Sequence, residues 1–343
     1  MLKVKKEGII LERTKRAFEN DAVLNPACMQ EGDKVHMFYR AVKKGNNSTI
    51  GYCLLKGPLE VVKRAAKPIL KPEHSFERES VEDPRIVNIE DTYYLTYTAY
   101  NYVFACGALA LSKDLKKFKK YGYITPRFTY KKFFDLTAIH DKVNPKYYRL
   151  NDFNQPPLDK KMIVWDKDVV FFPRRINGNL VFLHRIKPEI QVVSVKDLKQ
   201  LTKKFWEKYA VNFHGNIFMK PKYPHEAGYI GAGCPPIETE DGWLVIYHGV
   251  YDGIKGFIYN ACAALFDSKD YTKEIGRLKE PLFAPSKSWE KEGSISNVVF
   301  PTGTSMFGDR LYIYYGAADS HIAAASVKLK ELLSELKKKS NRH

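Results

Sequence analysis

Five times along the chain, a proline is followed by a short strand, a polar turn and an aromatic-rich strand. No other feature limits the fold as much. The copies are NPACMQEGDKVHMFYRA (25–41), DPRIVNIEDTYYLTYTA (83–99), FPRRINGNLVFLHR (172–185), PPIETEDGWLVIYHGV (235–250) and FPTGTSMFGDRLYIYYGAAD (300–319). The distance from proline to Tyr or His is nearly constant: Pro26 to Tyr39, Pro84 to Tyr97, Pro173 to His184, Pro235 to His248 and Pro301 to Tyr314. The EGD, IED, NGN, EDG and FGD tripeptides between the strands are hairpin punctuation. A strand of small apolar residues follows each copy, at 49–55, 105–112, 190–195, 259–266 and 321–327, and suits crowded packing next to an axis or a neighbouring sheet. Strand groups repeated at this spacing predict an all-β fold, a five-bladed β-propeller rather than a solenoid, with 1–343 as a single domain. The blades fall near 25–58, 84–119, 169–200, 234–270 and 298–331. A two-sheet sandwich does not account for five copies.

Two segments fall outside the repeat. Residues 128–162 form a long, basic, aromatic-rich insertion, which reads as a lid, a binding loop or an oligomer contact. Near the end, Leu329, Leu332, Leu333 and Leu336 recur at helical spacing and predict a short C-terminal helix over Val327–Lys339, packed on the propeller's flank. No stretch approaches the roughly 20 apolar residues of a membrane helix. The apolar run at the N-terminus is too short for a signal peptide. Five scattered cysteines with no C-x-x-C fit reduced thiols in a cytoplasmic protein and supply no metal site. A net charge of +17, with lysines clustered at 116–117, 119–120, 131–132 and 337–339, fits a solvated surface, a polyanion partner or a field that draws in a small phosphorylated ligand. No RNA-binding or helix-turn-helix signature accompanies it, so nucleic acid is not the expected partner.

The stretch Ser80–Tyr100 carries the most suggestive chemistry, with Glu82, Asp83, Pro84 and Arg85 opening the second copy. In a regular strand Asp83 and Arg85 share a face and Glu82 takes the other. Pro84 suits a strand edge or entry. On its own the tetrapeptide also reads as a turn carboxylate paired with an arginine. In a propeller, however, inner strands and their entry loops converge. The other copies bring Asn25, Arg40, Lys167, Asp168, His184, Arg185, His248 and Asp319 to that end. Arg40, Lys167, Arg185 and His248 facing one carboxylic acid are what an anion beside a sugar needs. Asp83 would protonate a leaving oxygen. His184 also reads as structural, and Lys167-Asp168 as a surface turn pair; their recurrence at matching positions favours function.

At this point the motifs SVEDPRI (80–86), DKDVVFFP (166–173), FLHR (182–185), GAGCPPIETEDGWLVIYHGV (231–250), NVVFPTG (297–303) and YYGAAD (314–319) resemble the mannoside phosphorylases and related mannosidases of glycoside hydrolase family 130. The resemblance runs from about Asn25 to Val327 and itself implies a five-bladed β-propeller. It also implies inverting phosphorolysis of a terminal β-mannoside to α-mannose 1-phosphate, with inorganic phosphate as co-substrate and neither cofactor nor metal. By the same resemblance Asp83 is the general acid, passing its proton through the mannose 3-hydroxyl. Asn25, Arg40 and Asp319 hold the sugar, and Lys167, Arg185 and His248 bind phosphate. The family's arginine after the second blade stands here as Lys120, which keeps the charge and loses the bidentate fork. The insertion exceeds the family pattern on the acceptor side, and a homo-oligomer remains open. So do two other functions. An inverting β-mannosidase needs a second carboxylate to activate water, for which Glu189 and Glu226 are near in sequence. A non-catalytic glycan-binding propeller would keep the fold without the chemistry. The motifs do not specify the linkage or the acceptor sugar.

Overall fold

The polar tripeptides do make the turns, and each copy of the repeat contains an antiparallel hairpin beside which the small-residue segment adds a third strand. The structure, a computed structural model, describes residues 2–140, 143–148, 162–253 and 256–340. Unit one comprises Ala22–Glu31, Lys34–Lys43, Asn47–Lys56 and Glu60–Arg64. Unit two comprises Ser80–Ile89, Thr92–Tyr100, Ala105–Ser112 and Lys119–Tyr123. Unit three comprises Lys167–Phe171, Leu180–Arg185, Ile190–Val195 and Ile217–Met219. Unit four comprises Tyr229–Ala232, Gly242–Gly253, Gly256–Phe266 and Glu274–Arg277, with Ile237–Thr239 beside its second strand. Unit five comprises Val299–Phe307, Arg310–Ala317 and His321–Lys328, and its fourth strand is Lys5–Leu11 from the other end of the chain. Units one and two merge into one eight-stranded sheet only through a single parallel pairing, Ser48 with Ser80. The protein is thus mostly β, as expected. The sequence reading missed the fourth strand of each unit and the N-terminal strand that completes the last.

The units pack on one another in order. Shared apolar clusters join one to two (Phe38, Ile50, Leu95, Tyr97), two to three (Leu109, Phe171, Phe182) and three to four (Phe172, Leu183, Trp243). Others join four to five (Ile246, Leu265, Ile313, Tyr315) and five back to one (Tyr314, Ile322, Val23, Met37). The small residues of the third strands permit this crowding. A Cβ on Gly107 would stand 2.2 Å from the Val169 side chain of the next unit, and Ala323, Ala324 and Ala325 are fully buried. The C-terminal helix spans Leu329–Ser340. It begins two residues later than expected because the last strand runs on through Lys328. Leu332, Leu333 and Leu336 bury it against units four and five. The described part of the 128–162 insertion supplies a helix, Tyr130–Thr137, which packs Phe133 against Tyr147 and Phe213. Residues 141–142 and 149–161 of that insertion lie outside the described residues.

A buried carboxylate ties the loop before each unit to that unit's second strand. Glu19 accepts from the Tyr39 hydroxyl (2.7 Å) and from Arg64 on the fourth strand (2.8 Å). Glu77 accepts from Tyr97 (2.8 Å) and pairs with Lys120. Glu226 takes Tyr247 and Arg277 (3.2 Å), and Glu290 takes Tyr315 (2.6 Å) and Lys6. In unit three Asp166 meets His184 (2.8 Å), whose other ring nitrogen meets Tyr209 (2.9 Å), so His184 is structural. The residues that correspond are therefore Tyr247 and Tyr315. The proline count had selected their neighbours, His248 and Tyr314.

This repeat also places Lys120. Its side chain is 4% exposed and its ammonium bonds Glu77 and the Lys71 carbonyl (2.6 Å), so it is the outer-strand cation of unit two and not part of an anion site. Removing one partner of a buried ion pair typically costs about 3–5 kcal/mol. Lys120→Met is expected to lower stability by roughly that amount in a denaturant titration. Any phosphate dependence of the protein should be unchanged; a raised phosphate requirement would return Lys120 to the anion site.

Candidate active site

The first strands of units one, two and three each hold a residue in the left-handed region: Asn25 (φ 49°), Asp83 (φ 47°) and Asp168 (φ 55°). Pairing shows why. Leu24 pairs with Arg40 and Ala27 with Phe38, so Asn25 and Pro26 together oppose Tyr39. Glu82 pairs with Thr98 and Arg85 with Thr96, so Asp83 and Pro84 oppose Tyr97. Lys167 pairs with Arg185 and Val170 with Leu183, so Asp168 and Val169 oppose His184. Each is a β-bulge, which bends the strand and re-aims one side chain. Asn and Asp tolerate this backbone better than other residues with a Cβ. The residue opposite each bulge is the one that bonds the buried carboxylate. The bulge overturns the expected alternation at 82–85. Arg40 reaches both Glu82 (3.0 Å) and Asp83 (3.5 Å), so both carboxylates meet one guanidinium. Arg85 turns away and bonds the carbonyls of Asp83 (2.8 Å), Gly233 (2.5 Å) and Ala232 (3.3 Å), tying unit two to unit four.

These side chains surround a cavity of about 170 Å³. Asn25, Arg40, Asp83 and Asp319 occupy one end, and Asn25 donates to Asp83 (2.7 Å). Asp168, Arg185, Lys187, Tyr229 and Tyr259 line the other end, and Lys167 stands between, 3.7 Å from Glu82. Of the eight residues expected at a site, the structure gathers Asn25, Arg40, Asp83, Lys167, Arg185 and Asp319 on this wall. Lys120 lies elsewhere, and His248 sits behind the wall. Its ring is 4.4 Å from Phe300 and its Nε2 is 3.7 Å from Asp168, and neither ring nitrogen has a hydrogen-bond partner. Gly231 allows this packing, since a Cβ there would fall 2.4 Å from the His248 ring. The sequence reading missed Tyr130 and Tyr147 of the insertion, Trp165, Lys187, Tyr229, Tyr259 and Phe300. Lys187, two residues past Arg185, was the nearest of these to a legible signal.

The two ends differ in charge. Burial alone would raise the Asp83 carboxyl, but Arg40, then Lys167 and Arg85, hold it below the ordinary range. Burial raises Asp319 to about 6, with Asp83 and Glu82 adding to the shift against Arg40. At the other end burial is outweighed at Asp168 by Arg185 (2.5 Å), His248 and Arg85, which bring it to about 2. Burial lowers His248 to about 3 despite Asp168. The arrangement offers one ionised and one protonatable acid at one end and fixed cations at the other. As for metals, His225, Glu226 and Cys262 lie close enough to share an ion, but Glu226 is already engaged by Tyr247, Arg277 and two backbone N–H groups.

The family model described as beta-1,4-mannooligosaccharide phosphorylase matches residues 10–338. The chain belongs to glycoside hydrolase family 130. Among curated proteins, this family 130 chain is 31% identical to a 1,2-beta-oligomannan phosphorylase of Thermoanaerobacter sp. (strain X514), covering 97% of this chain and 99% of that one. It is likewise 31% identical to a beta-1,2-mannobiose phosphorylase of the same organism, over 91% of each. Its fold is similar to that of the beta-1,2-mannobiose phosphorylase of Listeria innocua solved with beta-1,2-mannobiose, with a TM-score of 0.74, 22% identity and coverage of 98% and 100%.

The His248 environment gives a test. A histidine whose folded-state value lies near 3, against about 6.5 unfolded, binds more protons when the chain unfolds. Its contribution to stability is therefore present above pH 6.5 and lost as pH falls toward 3. Melting temperature should drop over that window, and His248→Phe should flatten the slope. An unchanged slope would mean that other groups dominate acid unfolding.

Proposed function

We propose that the protein catalyses inverting phosphorolysis of a terminal β-mannoside, releasing α-mannose 1-phosphate, and that the five units form one five-bladed β-propeller over the whole chain. The cyclic order of shared apolar clusters, five returning to one, supports the propeller. One observation carries the chemistry. Asp83 with its sugar-side companions Asn25, Arg40 and Asp319 opens into the same cavity as the cations Lys167, Arg185 and Lys187. We assign the first set to the mannose ring and the second to phosphate, with Asp168 holding Arg185 and His248 packed beside Asp168 behind the wall. The relatives named for β-1,2-linked mannosides make that linkage the first to test.

In this reading a phosphate oxygen forms a bond to the anomeric carbon as the glycosidic C–O bond breaks on the opposite face. The leaving oxygen takes a proton that originates on Asp83 and passes through the mannose 3-hydroxyl. The nucleophile arrives ionised, so no catalytic base is needed. In the free protein Arg40 keeps Asp83 ionised. Phosphate beside Lys167, the one cation common to both sets, offsets its pull and raises the acid, since a nearby like charge disfavours the carboxylate. Asp319, at about 6, is the adjacent group able to hold a proton near neutrality. Hydrolysis is less well supported. Glu189 is bound to Tyr147 (2.5 Å) and Glu226 to Tyr247 and Arg277, and neither lines the cavity.

Incubation of the protein with a β-mannoside and phosphate should yield α-mannose 1-phosphate. Asp83→Asn keeps the shape and cannot give up a proton, so turnover should fall by about 10²–10⁴-fold while sugar binding survives. Near-normal turnover in that variant would reject the assignment, and free mannose released at the same rate without phosphate would make the chain a hydrolase.

The acid pair gives a second expectation. If catalysis draws on the proton that Asp319 holds up to about pH 6, kcat/KM should fall on the alkaline side with a step near that value. Asp319→Asn should remove the step from the residual activity; a step that persists in the variant would place the titrating group elsewhere.

A further inference from the structure

The insertion that interrupts the repeat leaves and returns at one point. Tyr130 donates its N–H to the Met162 carbonyl and Val164 donates to the Phe128 carbonyl (both 2.8 Å), just before Trp165 and Lys167 enter the cavity wall. Between these bonds, the helix Tyr130–Thr137 and the short helical turn Pro145–Tyr148 pack on the apolar side of unit three. Tyr147 is buried there, edge-on to Phe213 at 5.0 Å between ring centroids.

The Tyr147 hydroxyl is committed away from the cavity. It donates to Glu189 (2.5 Å) and accepts from the Gln191 amide (3.0 Å), and neither partner lines the cavity. Burial, then Glu189, pushes this hydroxyl well above the ordinary tyrosine range, so it keeps its proton and donates. Its two partners hold the loop that carries Lys187. Residues 186–189 join the second and third strands of unit three and fold around the Gln191 side chain, which is fully buried. Gln191 Oε1 accepts from the Ile186 N–H (2.7 Å), and Nε2 lies 3.1 Å from the Ile186 carbonyl and 2.9 Å from that of Glu189. An amide nitrogen has two protons to share among these acceptors. The Tyr147 hydroxyl is the one acceptor that comes from outside unit three.

The same turn also reaches unit four. Lys146 bonds the carbonyl of Ala227, two residues before Tyr229. The Tyr229 ring centroid lies 3.9 Å from the Lys187 ammonium and 5.0 Å from the Arg185 guanidinium. The Pro188 carbonyl accepts from the Ile230 N–H (3.0 Å), so the loop and the ring are held together. Two adjacent residues of the insertion thus fasten both backbone segments behind the cationic end of the cavity. Binding groups keep a productive geometry only when the residues that support them are locked in turn.

We propose that Tyr147 is a positioning residue for the anion end of the cavity. Through Glu189 and Gln191 it fixes the loop that presents Lys187, while Lys146 fastens the Tyr229 segment, so the insertion serves phosphate binding. This rests on the assignment of phosphate to that end in the reading above.

The test follows phosphorolysis of β-linked mannobiose by the wild type, Tyr147→Phe, Lys187→Ala and the double variant, with melting temperatures taken with and without phosphate. Tyr147→Phe keeps the ring against Phe213 and loses only the hydroxyl. Its KM for phosphate should rise about three- to tenfold, as one lost hydrogen bond shifts an equilibrium, while kcat and the KM for the mannoside hold. In the Lys187→Ala background the same change should add nothing, because residues that act through one contact are not additive. Lys146→Met, at an exposed position that leaves the core untouched, should raise the phosphate KM in the same selective way. An unchanged phosphate KM in either single variant of the insertion, whatever its melting temperature, would overturn the proposal. So would a mannoside KM that rises in step, or a full further rise on top of Lys187→Ala. If no linkage gives a phosphate-dependent product, the phosphorolytic reading fails and the melting temperatures still decide the role of Tyr147. A rise with phosphate in the wild type that is lost in Tyr147→Phe would support it, and no rise in the wild type would overturn both.

Discussion

The structure depends on a buried carboxylate repeated at the entry to every unit. Glu19, Glu77, Glu226 and Glu290 each bond a tyrosine on the second strand and a cation on the fourth, and all four are fully buried. A lone buried carboxylate would be costly, and here the hydroxyl, the cation and, at Glu77, Glu226 and Glu290, backbone N–H groups share the charge. Two strands and a loop are thereby held to one point. The tyrosine is also the residue opposite the bulge in units one and two. The clamp that stabilises the sheet thus sets the left-handed residue that faces the cavity. Unit three reaches the same end differently. Its fourth strand is only Ile217–Met219 and carries no cation, so Asp166 uses His184 backed by Tyr209 from the helix Lys203–Val211.

From this framework follows the electrostatic division of the cavity. Three bulges deliver Asn25, Asp83 and Asp168 to neighbouring positions, yet the latter two carboxylates serve opposite ends. Asp168 is held well down by Arg185, His248 and Arg85 and acts as the fixed counter-charge that orients Arg185. Asp83 has Arg40 on one side and the protonatable Asp319 nearby, so its state responds to whatever charge enters the cavity. Arg85, between them, spends its donors on the carbonyls of Asp83, Pro84, Ala232 and Gly233 and ties units two and four together beneath the site.

A good part of this was written in the residues before any coordinates. The hairpins were legible because turn tripeptides and alternating apolar residues are local signals. The site motifs were legible because Asn or Asp before proline suits a bulge. The register was less so. Counting from the prolines failed in unit four because Pro235 lies outside the first strand, Tyr229–Ala232, and in unit five because Pro301 pairs directly with Tyr315, so the prolines are not equivalent positions. A better marker was present. An aromatic ring precedes the buried acid at Phe18-Glu19, Phe76-Glu77, Trp165-Asp166, His225-Glu226 and Trp289-Glu290. A proline also stands five residues before Glu77, Glu226 and Glu290.

The sequence by itself determined the strands, the turns, the number of repeats and the residue types able to sit in a left-handed bulge, because these depend on neighbours a few positions away. The tertiary structure alone decided which charges meet. Lys120 serves Glu77 on an outer strand, Lys6 crosses from the N-terminus to Glu290, and His248 stands behind Phe300. One extra residue in a strand changes which face the next side chain takes, so charges close in the chain separate. Charges hundreds of residues apart become partners, and only the packed sheets specify that.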